Sequence, residues 1–166
     1  SVEKTDPSKS VLLRSNGGAN NTFTTQVWES LDNARTWAVA GVDLPTDVVG
    51  VTLDVAPSNR SILYVSGRKG GPDYLGVIAR STDRGATWEE FPIPGSDATH
   101  PPFLSAIDPS DPNLLYVRLD GDPVDSLLVS KDGGATWTTA YESVGGLLAF
   151  ALSPDGSQVV IGGDKD

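Results

Sequence analysis

The stretch STDRGATW, residues 81–88, is the strongest indication of the fold because the chain contains it three times in nearly the same form. It returns as SKDGGATW at residues 130–137, and an earlier copy reads SLDNARTW at residues 30–37. The copies lie about 50 residues apart, which is a spacing typical of proteins built from one supersecondary unit per repeat. The chemistry of the motif indicates whether it is a functional site or part of the scaffold.

Each defined residue of the motif has a role in a tight hairpin. The Asp can accept hydrogen bonds from the amides of its own turn, and the Gly two positions later can adopt a positive φ. The Ser and Thr hydroxyls can tie the flanking strands, and the Trp offers an apolar face between units. The motif therefore predicts structural turns formed by Ser30, Asp32, Thr36 and Trp37, by Ser81, Asp83, Gly85, Thr87 and Trp88, and by Ser130, Asp132, Gly134, Thr136 and Trp137.

The first copy departs from the pattern at one position. Ala34 stands where the other two copies have Gly. Because alanine adopts a positive φ at a cost, we expect this first hairpin to be distorted.

A second motif recurs beside the first. Four prolines, each in a short polar turn before an apolar run, recur every 45 to 52 residues as Pro7, Pro57, Pro109 and Pro154. The two motifs together divide residues 1–166, a single segment, into approximate repeats 1–48, 49–100 and 101–148 and a partial repeat 149–166.

The middle repeat predicts four strands, at residues 49–55, 61–66, 75–81 and 87–93, with a Gly-rich loop at 67–74. Four short antiparallel strands per repeat are typical of a β-propeller blade. The fold class is therefore all-β, with about three and a half blades. Since propellers close with about four to eight blades, we expect a fragment of a longer polypeptide, or two copies that close one ring.

The motif Ser-x-Asp-x-Gly-x-Thr-Trp resembles the Asp-box, or BNR repeat, of sialidase-like β-propellers. Residues 81–88 and 130–137 match every defined position, and residues 30–37 match all but the Gly. The resemblance extends to sortilin-type receptors and to xyloglucan-degrading glycosidases, so it implies a fold rather than one activity. In these families the box lies at the periphery, away from the ligand face.

Composition excludes several classes of partner. The chain has 12 Lys and Arg against 22 Asp and Glu, a formal net charge of -10, so neither nucleic acid nor an anionic membrane surface is an expected partner. No apolar run is long enough for membrane insertion. We expect an extracellular, periplasmic or cell-envelope protein that binds a protein or carbohydrate.

Function should lie on the face opposite the boxes, where strand alternation places the longer loops. These candidate loops are residues 15–25, 40–47, 67–74, 94–103, 119–125 and 141–146. Arg68, Lys69 and Tyr74 combine two cations with an aromatic ring, which suits a carboxylate or a sugar ring; a solvated loop is the alternative.

The remaining candidates are acidic residues and the single histidine. Asp97, Asp120 and Asp125 are the carboxylates that a glycosidase could use. His100 is the only histidine, the residue type that most often transfers protons in enzymes. Asp120, Asp122 and Asp125 form a weak calcium candidate, although ordinary turn chemistry explains the same residues. No other cofactor is expected.

Three functions remain open. One is a structural propeller in a larger multidomain protein, with no ligand of its own. The leading one is a non-catalytic propeller segment that binds a protein or glycan through its loop-rich face. The alternative is part of a glycoside hydrolase, xyloglucanase-like rather than sialidase-like, whose catalytic carboxylates lie partly in other blades. A sialidase would need an Arg-Ile-Pro motif, and residues 91–94, FPIP, lack the arginine.

Overall fold

A computed structural model describes residues 8–18 and 22–163, and in these residues the chain forms thirteen β-strands and no α-helix. The prediction of an all-β fold is confirmed. Within the same residues there is no helix with the length and apolar character to cross a bilayer.

The strands form four antiparallel sheets, each made of strands that are consecutive in the chain. The first sheet contains β1 (Ser10–Gly17), β2 (Phe23–Ser30) and β3 (Ala38–Val39). The second contains β4 (Val48–Val55), β5 (Leu63–Lys69), β6 (Gly76–Ser81) and β7 (Glu89–Pro92). The third contains β8 (Pro102–Ile107), β9 (Leu115–Leu119), β10 (Val124–Ser130) and β11 (Thr138–Val144), and the fourth contains β12 (Leu147–Leu152) and β13 (Val159–Gly163).

The strand count of the first repeat differs from the prediction of four strands. Among the described residues its sheet has three, in the order β1-β2-β3. In the sequence β1 follows the first Pro-containing motif directly, as β5 and β9 follow theirs, so it occupies the position of the second strand of a blade. Pro7 itself lies outside the described residues. The described sheets are therefore two full blades flanked by two partial ones.

The sheets pack face to face around two apolar cores. Val11, Val27 and Val65 belong to a core between the first and second sheets, against which Trp88 packs. The other core lies between the second and third sheets, and its members include Tyr64, Ile78, Val117 and, packed against them, Trp137. Because side chains alternate along a strand, neighbours on β5 and β6 enter opposite cores, and the second sheet is buried on both faces.

The Gly-rich loop of the second sheet is shorter than predicted. Residues 67–69 continue β5, and the loop begins at Gly70. Gly67 is buried and pairs with Gly50 of β4, and a Cβ at Gly67 would lie 2.5 Å from the carbonyl oxygen of Val49. This glycine therefore allows a close approach of two strands, whereas the sequence suggests a flexible loop.

The three repeated turns share one set of hydrogen bonds. In the second sheet Ser81 Oγ donates to Asp83 Oδ1 (2.8 Å) and accepts the amide of Gly85 (2.7 Å). The amide and hydroxyl of Thr87 donate to the two oxygens of Asp83 at 2.8 and 2.7 Å. The turn at residues 130–137 repeats these contacts. All these side chains bond within their own turn.

The first turn is not disrupted by its alanine. Ala34 adopts a φ of 61° and still donates its amide to Ser30 Oγ at 2.9 Å. The amide of Thr36 donates to Asp32 at 2.9 Å, as in the other copies. The expected distortion is therefore absent from these hydrogen bonds, and the alanine accepts a left-handed backbone instead.

The two recurring motifs meet on one face of the molecule. In each of the first three sheets a backbone amide of the repeated turn donates to a carbonyl of the Pro-containing turn. These bonds are Asn33 to Ser8 at 2.8 Å, Arg84 to Ser61 at 2.8 Å and Gly133 to Asn113 at 2.9 Å. Strand alternation leaves the opposite face to the β1–β2, β5–β6 and β9–β10 loops and to the connections between sheets.

Candidate functional site

The loop-rich face contains a pocket of about 220 Å³ between the first and second sheets. We call it the Tyr74 pocket, and its lining residues are Phe23, Val49, Arg68, Lys69, Gly70 and Tyr74. The start of β2, the start of β4 and the end of β5 supply the walls, and the β5–β6 loop supplies the aromatic ring of Tyr74. The structure thus brings three predicted binding residues, Arg68, Lys69 and Tyr74, into one pocket.

The two cations of the pocket have different environments. Lys69 Nζ lies 2.5 Å from Glu90 Oε2 and 3.3 Å from Asp47 Oδ2. The hydrogen bond to Glu90, more than any other contact, raises the pKa of Lys69 above its usual value. Arg68 forms no ion pair with any residue that the structure describes. Arg68 is therefore the cation of this pocket that is available to a ligand.

The backbone around Tyr74 is fixed from both sides. Lys69 donates its amide to the carbonyl of Leu75 at 2.8 Å, and Gly70 donates to the carbonyl of Asp47 at 2.6 Å. Tyr74 itself has a φ of 47°, in the left-handed region, and is 47% exposed. Such a conformation is uncommon for a large side chain, so the loop holds an aromatic ring at the pocket against its backbone preference.

Asp97 and His100 form a local pair at a different place. The oxygen Asp97 Oδ1 lies 2.9 Å from His100 Nδ1 and accepts the amides of Thr99 and His100 at 2.7 and 2.9 Å. The hydrogen bond from His100, followed by those from Thr99, holds the pKa of Asp97 well below its usual range. Asp97 thus fixes its own turn and orients the imidazole of His100.

His100 also lines a second pocket, of about 360 Å³, on the third sheet. Its other lining residues are Pro94, Gly95, Leu119, Val124, Ser126, Leu128, Thr139 and Glu142. None of the other predicted binding residues lines this pocket, so His100 lies apart from Arg68, Lys69 and Tyr74.

Asp120 and Asp125 both have partners inside the protein. Asp120 Oδ1 lies 2.7 Å from Arg118 Nε. Asp125 is only 5% exposed and accepts the amide of Gly121 at 2.7 Å and the amide of Leu147 at 2.6 Å. Asp125 therefore joins the β9–β10 loop to the start of the fourth sheet.

The calcium hypothesis gains no support from this geometry. Across residues 8–18 and 22–163, no group of three or more His, Cys, Asp or Glu side chains is arranged to hold a metal ion. Asp120 and Asp125, two of the three residues proposed for calcium, instead contact a guanidinium and backbone amides.

Sequence reasoning missed three lining residues of the Tyr74 pocket, Phe23, Val49 and Gly70. Phe23 lies in the candidate loop at residues 15–25, but only its contact with the second sheet places it at the pocket. Its amide donates to the carbonyl of Thr46 at 2.9 Å, across the boundary between the two sheets. Phe23 could have been predicted, because it is an aromatic residue in a candidate loop. Val49 could not, because nothing in the sequence distinguishes it from other strand residues.

Comparisons with known proteins point to one group of enzymes. No protein-family model matches the chain. A xyloglucanase of Acetivibrio thermocellus is 29% identical to it, across 83% of this chain and 19% of the enzyme. A xyloglucanase of a Paenibacillus species is 31% identical, across 79% of this chain and 15% of the enzyme. The chain thus spans less than a fifth of the length of these relatives.

A solved structure shows the same fold. The GH74 xyloglucanase from Xanthomonas campestris matches this chain with a TM-score of 0.54 and 21% identity, over 91% of this chain and 26% of that one. Together the comparisons support the xyloglucanase type among the resemblances that the motifs suggest. The chain is a partial β-propeller that is similar to xyloglucanases over most of its own length.

Proposed function

We propose that the chain is a segment of a propeller glycoside hydrolase that acts on xyloglucan or a similar neutral glucan. The observation that carries the proposal is the similarity to two xyloglucanases across 83% and 79% of the chain. This favours the hydrolase over the purely non-catalytic binding segment that was the first expectation from the sequence.

Within that hydrolase, the segment would bind glycan and leave at least part of the catalysis to other blades. Asp97, Asp120 and Asp125, the carboxylates considered for catalysis, each have hydrogen-bond or ion-pair partners within the protein. A glycosidase needs two carboxylates that face the scissile bond from opposite sides. The proposal therefore assigns catalytic carboxylates at least partly to the remainder of the propeller.

The three repeated turns would be Asp-boxes that hold the frame. Their side chains bond within the turn, and their backbone amides bond to the Pro-containing turns of the same sheet. Such turns leave the opposite face for ligands, which is where the Tyr74 pocket lies.

The same proposal suggests a location and partners. A polysaccharide does not cross membranes, so an enzyme that degrades one would act outside the cell or in the cell envelope. The net charge of -10 suits a neutral ligand better than an anionic one. The remaining blades would come from the rest of the polypeptide or from a second copy, and no cofactor is proposed.

Hydrolysis of tamarind xyloglucan, measured as new reducing ends, tests the proposal. The assay compares the 166-residue chain with the longest natural polypeptide that contains it, and carboxymethyl cellulose tests the preference for the branched glucan. We expect release of reducing ends by the longer polypeptide and little or none by the chain alone. Absence of hydrolysis in both would contradict the glycosidase assignment.

A further inference from the structure

The Tyr74 pocket presents an aromatic ring that the fold does not require. Tyr74 is 47% exposed, has a φ of 47°, and its hydroxyl makes no hydrogen bond with the residues that the structure describes. One backbone hydrogen bond, from Lys69 to Leu75, closes the β5–β6 loop, and a second, from Gly70, ties the loop to Asp47, so neither uses the side chain of Tyr74. Residues held in sparsely populated backbone regions concentrate at ligand sites, where another interaction compensates for the strain.

The charges around the pocket favour a neutral ligand. Glu90 and Asp47 compensate the ammonium of Lys69 at 2.5 and 3.3 Å. The guanidinium of Arg68 is the remaining cation of the lining, and it stands in a chain of net charge -10. Its N–H groups can donate hydrogen bonds to hydroxyl groups. Arg68 and Lys69 together only balance the charges of Glu90 and Asp47, so these four residues have no net positive charge to attract an anion.

The apolar lining and the size of the pocket limit the ligand further. Phe23, Val49 and Tyr74 offer apolar surface next to the donors of Arg68. Apolar walls with a few placed polar groups are typical of small-molecule sites. At about 220 Å³ the pocket is smaller than the sites of drug-sized ligands, so it suits a single sugar ring.

We propose that the Tyr74 pocket binds one pyranose ring of a neutral glycan, with the apolar face of the sugar against Tyr74 and its hydroxyl groups bonded to Arg68. The identity of the glycan as a neutral glucan rests on the proposed function above. The pocket itself rests on the contacts of Phe23, Arg68 and Tyr74.

Isothermal titration of the 166-residue chain with a xyloglucan oligosaccharide and with an oligogalacturonate of similar length tests this site. The variants are Tyr74→Gly, which removes the ring and permits the observed φ, Tyr74→Phe, which keeps the ring, and Arg68→Gln. Arg35→Gln is the matched control, because Arg35 is exposed in the first repeated turn and does not line the pocket.

We expect binding of the neutral oligosaccharide, with a Kd that rises about tenfold in Tyr74→Gly and in Arg68→Gln. Tyr74→Phe and Arg35→Gln should bind as the unaltered chain does. Calorimetric melting checks the fold, and Tyr74→Gly should melt no lower than the unaltered chain because glycine adopts positive φ freely.

Three results would overturn the site: no binding of the neutral oligosaccharide, unchanged binding in Tyr74→Gly, or preferred binding of the oligogalacturonate. If the longer polypeptide hydrolyses xyloglucan but Tyr74→Gly binds the oligosaccharide unchanged, the proposed binding site is wrong and the glycosidase assignment stands. If binding depends on Tyr74 but neither polypeptide hydrolyses xyloglucan, the proposed binding site stands and the glycosidase assignment is wrong.

Discussion

The hydroxyl of Ser81 has two roles in its turn, since it accepts the amide of Gly85 and donates to Asp83. Ser81 is 1% exposed. Ser81→Ala would leave the buried amide of Gly85 without a partner, so we expect a loss of about 1–3 kcal/mol in the free energy of unfolding. Urea unfolding followed by tryptophan fluorescence measures this loss. Ser58→Ala, at an exposed turn residue, is the control and should change stability by less than about 0.5 kcal/mol.

A reciprocal pair of substitutions tests the backbone requirement of the repeated turns. Ala34 has a φ of 61° and is exposed, so Ala34→Gly should stabilise the chain by about 0.5–1 kcal/mol. Gly85 has a φ of 88°, and a Cβ there would lie 2.9 Å from the carbonyl oxygen of Ala40. Gly85→Ala should therefore destabilise the chain by about 2 kcal/mol. Denaturant midpoints that move in the opposite directions would contradict this account.

At the level of single elements, the repeated turns make the stability of the folded chain depend on pH. Hydrogen bonds, first of all from the Thr36 side chain, lower the pKa of Asp32 to about 2, and Thr136 does the same for Asp132. A carboxyl group with a lowered folded-state pKa stabilises the fold above its unfolded pKa of about 4. This contribution is lost as the pH falls through the folded pKa.

We therefore expect the melting temperature to fall as the pH decreases from about 4 to about 2. Scanning calorimetry across this range measures the effect. Asp132→Asn should melt lower than the unaltered chain at about pH 7, and the difference should shrink toward about pH 2. A constant difference across the range would show that the ionised carboxylate of Asp132 is not what stabilises the turn.

Elements with local signals could be predicted closely from the sequence. The strand predicted at residues 49–55 is β4 (Val48–Val55), and the one predicted at 75–81 is β6 (Gly76–Ser81). Turn residues and β-branched runs define such strands without reference to distant parts of the chain. The end of β5 was predicted wrongly because Gly67 reads as a loop residue, whereas it serves a close contact between paired strands.

The candidate site could be predicted only in part, because some of its residues come from parts of the chain that are distant in sequence. Arg68, Lys69 and Tyr74 are neighbours in sequence, so a single loop suggested all three. Phe23 comes from another sheet, and its approach depends on how two sheets pack, which periodicity does not encode. Likewise, the ion pairs that occupy Lys69 involve Asp47 and Glu90, and no pattern within the predicted loop at residues 67–74 indicates them.

Across the whole molecule, burial is uneven among the four sheets. Tyr64 and Ile78 of the second sheet are fully buried, whereas Leu148 and Val160 of the fourth are 68% and 63% exposed. Amides in poorly buried elements open more readily. We expect residues 147–163 to exchange amide hydrogens at least roughly tenfold faster than residues 63–81, measured by mass spectrometry on the chain alone.

Equal exchange in the two segments would contradict this expectation for a single free chain. Light scattering on the same sample provides the control, because association of two copies could cover the exposed face of the fourth sheet. Protection that appears only in the associated form would identify that face as the contact between copies.

The bonds between the repeated turns and the Pro-containing turns join backbone to backbone, and this has a consequence for how such a protein can change. Asn33, Arg84 and Gly133 stand at the same position and donate the same backbone bond, so this bond forms with three different side chains. A scaffold held by these backbone bonds on one face allows the loops of the opposite face to vary in sequence and length. Loops of different length and chemistry can be exchanged between such blades, by evolution or by grafting, and each exchange would alter recognition while the scaffold stays intact.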